Sequence, residues 1–145
     1  MFKHILLPTD GSPLSEAAIR NGIQLAKAVD ARVTGFCVIP KLRYFNYDLE
    51  LAPEFKKQAA AAVRAEVNKN LLAVEKAAKE AGVPCETARE TNDQPYEAIV
   101  EAARKKGCDL IIMASHGRRG VQGLLLGSET QKVLTHSKIP VLVYR

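Results

Sequence analysis

The chain has no tryptophan, only three cysteines, and no run of about 18 apolar residues. The last of these leaves no stretch with the length and apolarity of a membrane-spanning helix. Cys37, Cys85 and Cys108 are odd in number and show no C-x-x-C spacing, so neither a disulfide framework nor a zinc site is indicated. Each reads instead as a reduced, buried thiol. There is no internal repeat, low-complexity tract or linker, and no His/Cys/Asp/Glu cluster with metal-ligand spacing. The opening apolar stretch, ended by Pro8, is too short for a signal peptide and reads as a buried strand, so a cytoplasmic location is expected.

What is present fits one domain over residues 1–145. Hydrophobic residues make up 47% and charged residues 26%, ordinary globular usage at a length that buries a core without staples. The 21 basic residues exceed the 16 acidic ones, for a net charge of +5, which favours polyanionic ligands in general. Nucleic acid ranks last among these, because no platform interleaves aromatic and basic residues.

Two periodicities alternate along the chain. Ile5-Leu6-Leu7 has the continuous apolarity of a strand buried on both faces. Ser12-Pro13 then opens a helix, with Ser12 as cap and Pro13 in the first turn. Its apolar face comprises Leu14, Ala18, Ile19, Ile23, Leu25 and Ala26. A second strand is expected over 33–39. Residues 41–53, containing Tyr44, Phe45 and Tyr47, read as a long loop that covers something or meets a partner. Val63, Val67, Leu71, Val74 and Ala78 mark a helix over 54–81 that stops at Gly82. A short strand at 85–90, a helix over 96–106 closed by Gly107 and a strand over 109–114 follow. Ser128-x-x-Gln131 has the spacing of a capping box opening a short helix, and 139–145 is a final strand. The order βαβαβαβαβ predicts an α/β fold: an open, doubly wound, five-stranded parallel sheet with helices on both faces.

In such a sheet, ligands bind beyond the carboxyl ends of the strands where the order reverses. The segment after the fourth strand carries Gly117, Gly120, Gly123 and Gly127, four of the nine glycines in eleven residues. Glycine permits positive φ and close backbone approach, and Ser128 begins a helix whose free N–H groups favour an anion. A phosphate cradle and a surface loop turning on glycines fit this pattern about equally. Neither G-x-x-x-x-G-K-[ST] nor G-x-G-x-x-G is present. Asp10 fits a turn as well as a ligand contact, and Arg118 and Arg119 fit either phosphate or water. No carboxylate or serine nucleophile is tied to His116 by a recognised spacing, and the isolated His4 and His136 read as structural.

Three segments together resemble the universal stress protein family, and the resemblance covers essentially the whole chain. They are the opening Lys3-His4-Ile5-Leu6-Leu7-Pro8-Thr9-Asp10-Gly11-Ser12, the 111–128 segment with Gly117, nine residues, then Gly127-Ser128, and the closing Ser137-Lys138-Ile139-Pro140-Val141-Leu142-Val143. The resemblance implies the adenine nucleotide alpha hydrolase-like fold and an ATP site to which Mg²⁺ could come with the nucleotide. It puts Asp10 by the ribose and phosphates and Val38 at the adenine through its backbone. Gly117 and Gly127 let the loop close on the phosphates, Ser128 donates its hydroxyl and Glu129 its backbone N–H. Pro8, Thr9, Met113, Ala114 and His116 complete the implied set. The motif's first glycine is Ala114 here, whose methyl disfavours positive φ. The leading expectation is a regulatory or protective module that binds ATP in the stress response. The alternatives are a slow ATP-hydrolysing enzyme and a dimerisation module that binds no nucleotide. The all-apolar final strand, Val141, Leu142 and Val143, predicts a sheet edge and a homodimer formed by pairing two such edges, an assembly the resemblance also implies.

Overall fold

The structure, a computed structural model, describes residues 1–41, 53–118 and 126–145. The aromatic stretch expected to form a loop, and Arg119, Gly120 and Gly123, lie outside these residues apart from Lys41 and Pro53 at the margins. Strands β1 (His4–Pro8), β2 (Arg32–Ile39), β3 (Cys85–Thr91), β4 (Leu110–Ala114) and β5 (Val141–Tyr144) alternate with helices α1 (Pro13–Ala28), α2 (Pro53–Ala81), α3 (Pro95–Lys106) and α4 (Ser128–His136). All strand pairings are parallel, in the order β3-β2-β1-β4-β5. Among the described residues no helix is long and apolar enough to cross a membrane.

Period-two alternation in the central strands divides the core between two faces. Ile5 and Leu7 of β1, Val33 of β2, and Leu110 and Ile112 of β4 pack with Ile19 and Ile23 of α1 and Val74 and Ala78 of α2. Leu6, Phe36, Ile111 and Met113 point the other way, onto Ala98, Ile99 and Ala102 of α3 and Val133 of α4. The expected doubly wound arrangement is thus formed. Ile5, Leu6 and Leu7 are completely buried, each contributing roughly 1.5–3 kcal/mol of transfer free energy. Gly35 lets α2 approach β2, since a Cβ there would stand 2.9 Å from Val74 Cγ1.

Helix ends follow the expected chemistry with one exception. Ser12 caps α1 by accepting from the Ser15 N–H. Gly82 and Gly107 end α2 and α3 at φ of 75° and 68°. The capping box at Ser128 does not form. Gly127 is the N-cap, no side chain among the described residues caps α4, and Gln131 Nε2 donates instead to the Leu126 carbonyl at 3.4 Å. Cys37 and Cys108 are buried free thiols, whereas Cys85 is only half-buried, on a strand with one neighbour.

Strand order reverses between β1 and β4, so the loops leaving these two strands flank a crevice at the carboxyl edge. β5 is an edge strand as expected, hydrogen-bonded only to β4, with Leu142 41% exposed.

Candidate functional site

The β1–α1 turn satisfies itself. Thr9 N–H donates to the Phe36 carbonyl at 2.8 Å, holding the chain in line one residue beyond β1. The buried Thr9 hydroxyl accepts from Gly11 N–H at 3.1 Å and from Ser15 Oγ at 2.9 Å. Asp10 Oδ1 accepts from Ser12 N–H at 2.9 Å, an Asx turn that fixes the carboxylate at the rim. Gly11 sits at φ 77°, and a Cβ there would meet Asn70 Oδ1 at 2.5 Å. Cys37, beneath this turn, donates its thiol to the Thr9 carbonyl. Burial, reinforced by the Asp10 charge, pushes its pKa up to about 12, so it is a neutral packing group and no nucleophile.

The end of β4 is built to meet a helix terminus. Ser115 N–H donates to the Tyr144 carbonyl at 2.8 Å, and the Ser115 carbonyl accepts from Gly127 N–H at 2.6 Å. Thr130 Oγ1 donates to the Ala114 carbonyl at 2.9 Å, anchoring the first turn of α4 to the strand end. Gly127 consequently lies against the β4 exit, where a Cβ would stand 3.1 Å from both His116 Cα and the Ser115 carbonyl oxygen. The first turn of α1 is capped by Ser12, whereas among the described residues no side chain caps that of α4. The N–H groups of a helix's first turn and the positive end of its dipole favour an anion.

Asp10 joins the two loops. Its Oδ2 accepts from Arg118 N–H at 2.9 Å, and a Cβ on Gly117 would overlap that same oxygen. The Arg118 guanidinium pairs with Glu66 Oε1 of α2 at 2.6 Å. That hydrogen bond holds the Glu66 carboxyl below its usual range. A cavity of about 220 Å³ opens beside Thr9, Gly11 and Asn70, between α1 and α2. A larger one of about 390 Å³ lies away from the strand reversal, at α3. Glu90, Glu97 and Glu101 line it, and three carboxylates repel a polyphosphate.

The fold has known counterparts. The chain matches the universal stress protein family over residues 1–145. It belongs to that family. It is 34% identical over its whole length to universal stress protein MJ0531 of Methanocaldococcus jannaschii, covering 83% of that protein. The solved structure of MJ0577 from the same organism superposes with a TM-score of 0.79 at 30% identity, covering 99% of this chain and 96% of that one. Another solved universal stress protein, in complex with cAMP, gives a TM-score of 0.73 at 27% identity over 99% of this chain and 97% of its own. The adenine nucleotide alpha hydrolase-like fold implied by the sequence is the fold of these structures.

In this universal stress protein the residues implied by the resemblance do not all lie on one surface. Asp10, His116, Gly117, Gly127 and Ser128 gather at the crevice, with Pro8 and Thr9 buried directly behind Asp10. Val38 stands two residues past the Pro8–Phe36 pair, level with Asp10, and its side chain packs on the α3 face. Met113 turns its side chain into that same core, leaving only its backbone at the strand end. Ala114 occupies an ordinary strand position paired with Tyr144. Among the described non-glycine residues only Asp30 has positive φ, so Ala114 carries no strain and its methyl disturbs no turn. Gly117 and Gly127 likewise do not have positive φ. Close approach to Asp10 and to the β4 exit, not backbone handedness, is what requires glycine there.

Other contacts had no signature in the sequence of this universal stress protein. Glu129 uses its side chain structurally: Oε2 accepts from Tyr96 N–H at 3.0 Å, capping α3 from α4 where Gln94 makes no side-chain cap. His116 Nδ1 lies 3.2 Å from Ser115 Oγ. His136 Nδ1 meets the Lys132 carbonyl at 2.8 Å, and its ring packs 4.9 Å from that of Tyr96. His4 is buried with Nε2 2.7 Å from Thr34 Oγ1, a structural role as expected.

Proposed function

We infer that this universal stress protein binds an adenine nucleotide, ATP with Mg²⁺, in the crevice between the β1 and β4 loops. It then acts as a cytoplasmic regulatory or protective module. The observation that carries the reading is the first turn of α4, pressed by Gly127 against the exit of β4 at the strand-order reversal and without a side-chain cap from the described residues. In this reading Ser128 Oγ and the Ser128 and Glu129 N–H groups receive phosphate, and Gly117 and Gly127 keep the approach clear. Each Asp10 oxygen accepts one hydrogen bond, from Ser12 or from Arg118, which leaves lone pairs for ribose hydroxyls. Pro8, Thr9, Val38, Met113, Ala114 and His116 form the wall, Val38 and Met113 through their backbones. A relative solved in complex with cAMP supports an adenine nucleotide as the ligand class.

Binding without rapid turnover is favoured by what the side chains are engaged in. In this reading the remaining Asp10 lone pairs are taken by ribose, and the described contacts orient no side chain as a base for an attacking water. Titration calorimetry with ATP and MgCl₂, followed by chromatography of the nucleotide, tests the reading. Saturable one-site binding with ATP recovered intact supports it. Absence of heat at millimolar ATP refutes it, and steady multiple turnover favours the hydrolase instead.

The edge strand supports a homodimer through β5. Leu142 is 41% exposed on a strand with one neighbour, and pairing two copies about a two-fold axis satisfies both edges. Light scattering that reports a monodisperse monomer of about 16 kDa at micromolar concentration excludes this assembly. A dimer that persists after deletion of residues 141–145 moves the interface elsewhere.

A further inference from the structure

Arg118 follows Gly117, and its backbone N–H is fixed on Asp10 Oδ2 at 2.9 Å. Its guanidinium lies over the β1–α1 turn, where a Cβ on Gly11 would come 2.9 Å from Nη2. There it pairs with Glu66 Oε1 at 2.6 Å, the two side chains being 54% and 42% exposed. An anion-binding side chain thus stands beside the crevice with a carboxylate in its grasp. Guanidinium accommodates carboxylate and phosphate in the same forked geometry, so one can replace the other. Ion pairs this exposed are weak. A phosphate chain bearing several negative charges and held on the α4 terminus outcompetes one solvated carboxylate for the same cation.

We propose that Glu66 occupies the place of a ligand phosphate: Arg118 rests on it in the free protein and transfers to a phosphate group when a nucleoside phosphate binds. Arg118 is then an affinity-determining residue and Glu66 its competing anion. The exchange also removes one contact between α2 and the β4 loop, so ligand binding acts on the longest helix. Glu66 is ionised at neutral pH, because the guanidinium hydrogen bond keeps its carboxyl acidic, so it competes at full charge. The inference rests on the nucleotide reading above.

The test is titration calorimetry with ATP and with adenosine on the full chain and three variants: Arg118→Ala, Glu66→Gln and the double substitution. Arg118→Ala weakens ATP at least about ten-fold, the scale of a lost charge-assisted hydrogen bond, and leaves adenosine within two-fold. Glu66→Gln tightens ATP about two- to five-fold, the scale of an exposed ion pair, and this gain disappears in the Arg118→Ala background. An equal gain in both backgrounds means that Glu66 acts through charge at a distance and overturns the exchange. Unchanged ATP affinity in Arg118→Ala, or an equal loss for adenosine, overturns the role of Arg118 while the nucleotide reading stands. A wild-type chain that binds neither ligand overturns both.

Discussion

Replacing Gly117 with alanine isolates the contact that joins the two loops of the crevice. Gly117 does not have positive φ, so alanine meets no backbone penalty there. The cost is steric. The new methyl overlaps Asp10 Oδ2, and the carboxylate must turn away from the Arg118 N–H that it accepts at 2.9 Å. The same rotation disturbs the 2.9 Å bond from Ser12 N–H to Oδ1. Hydrogen bonds to a charged group are worth about 1.5–3 kcal/mol when buried, and the exposure of Asp10 reduces each to about 1 kcal/mol or less. Gly117→Ala should therefore cost about 1–2 kcal/mol. That corresponds to roughly 3–6 °C in Tm for a chain of this size. The assay is a thermal or urea denaturation cycle with Asp10→Ala. If the methyl acts through Asp10, the double variant is scarcely less stable than either single one, and the coupling is about 1 kcal/mol. Additive losses would refute the reasoning, because they would place the penalty of the methyl somewhere other than the carboxylate.

Three other outcomes follow from the same geometry. Gly127→Val puts a branched side chain 3.1 Å from His116 Cα and should lower ATP affinity at least about ten-fold, a complete charge-assisted contact, with helical circular dichroism retained; unchanged affinity in the folded variant contradicts the site. Ala114→Gly restores the family's glycine at an unstrained strand position, so it should cost about 0.5–1 kcal/mol of stability and change ATP affinity less than two-fold; a marked loss would show the methyl to be matched to the loop. His4 is buried, and desolvation together with Arg32 lowers its pKa below 6.5, against smaller opposing effects of Glu86, the Lys106 backbone and Asp109. The unfolded chain therefore takes up a proton near pH 6.5 that the folded chain refuses, and stability falls as pH drops below that value. The slope has a ceiling of about 1.4 kcal/mol per pH unit for one group, and His4→Gln should flatten it in urea midpoints measured from pH 7 to pH 5.

The sequence carried the layered fold because its signals were local and mutually consistent. Ile5-Leu6-Leu7 and the 110–114 run are apolar on both faces, and both strands are covered on both faces. Ser12-Pro13, Gly82 and Gly107 stood where helix ends needed them. α4 starts at Ser128 as expected, but its capping box does not form, and the reason is tertiary. Thr130 on the Ala114 carbonyl and Gly127 on the Ser115 carbonyl fix the first turn, so Ser128 and Gln131 make no reciprocal cap. Conformational freedom was the wrong reason for Gly117, whose need is room for a carboxylate more than 100 positions earlier in the chain. Glu66 with Arg118, and Glu129 with Tyr96, join residues 52 and 33 positions apart, and no spacing rule relates residues in separate elements brought together by the fold.

The central claim is that adenine nucleotide binds at the α4 terminus between the β1 and β4 loops. Backbone amide chemical shifts recorded by NMR while ATP and MgCl₂ are added test it most directly, because the ligand reports its own position. The account predicts saturable shifts concentrated at Asp10, Gly117, Gly127, Ser128 and Glu129, with Tyr96, Glu97 and Glu101 at the acidic cavity unmoved. Shifts centred on that cavity, or none at millimolar ATP, would contradict it.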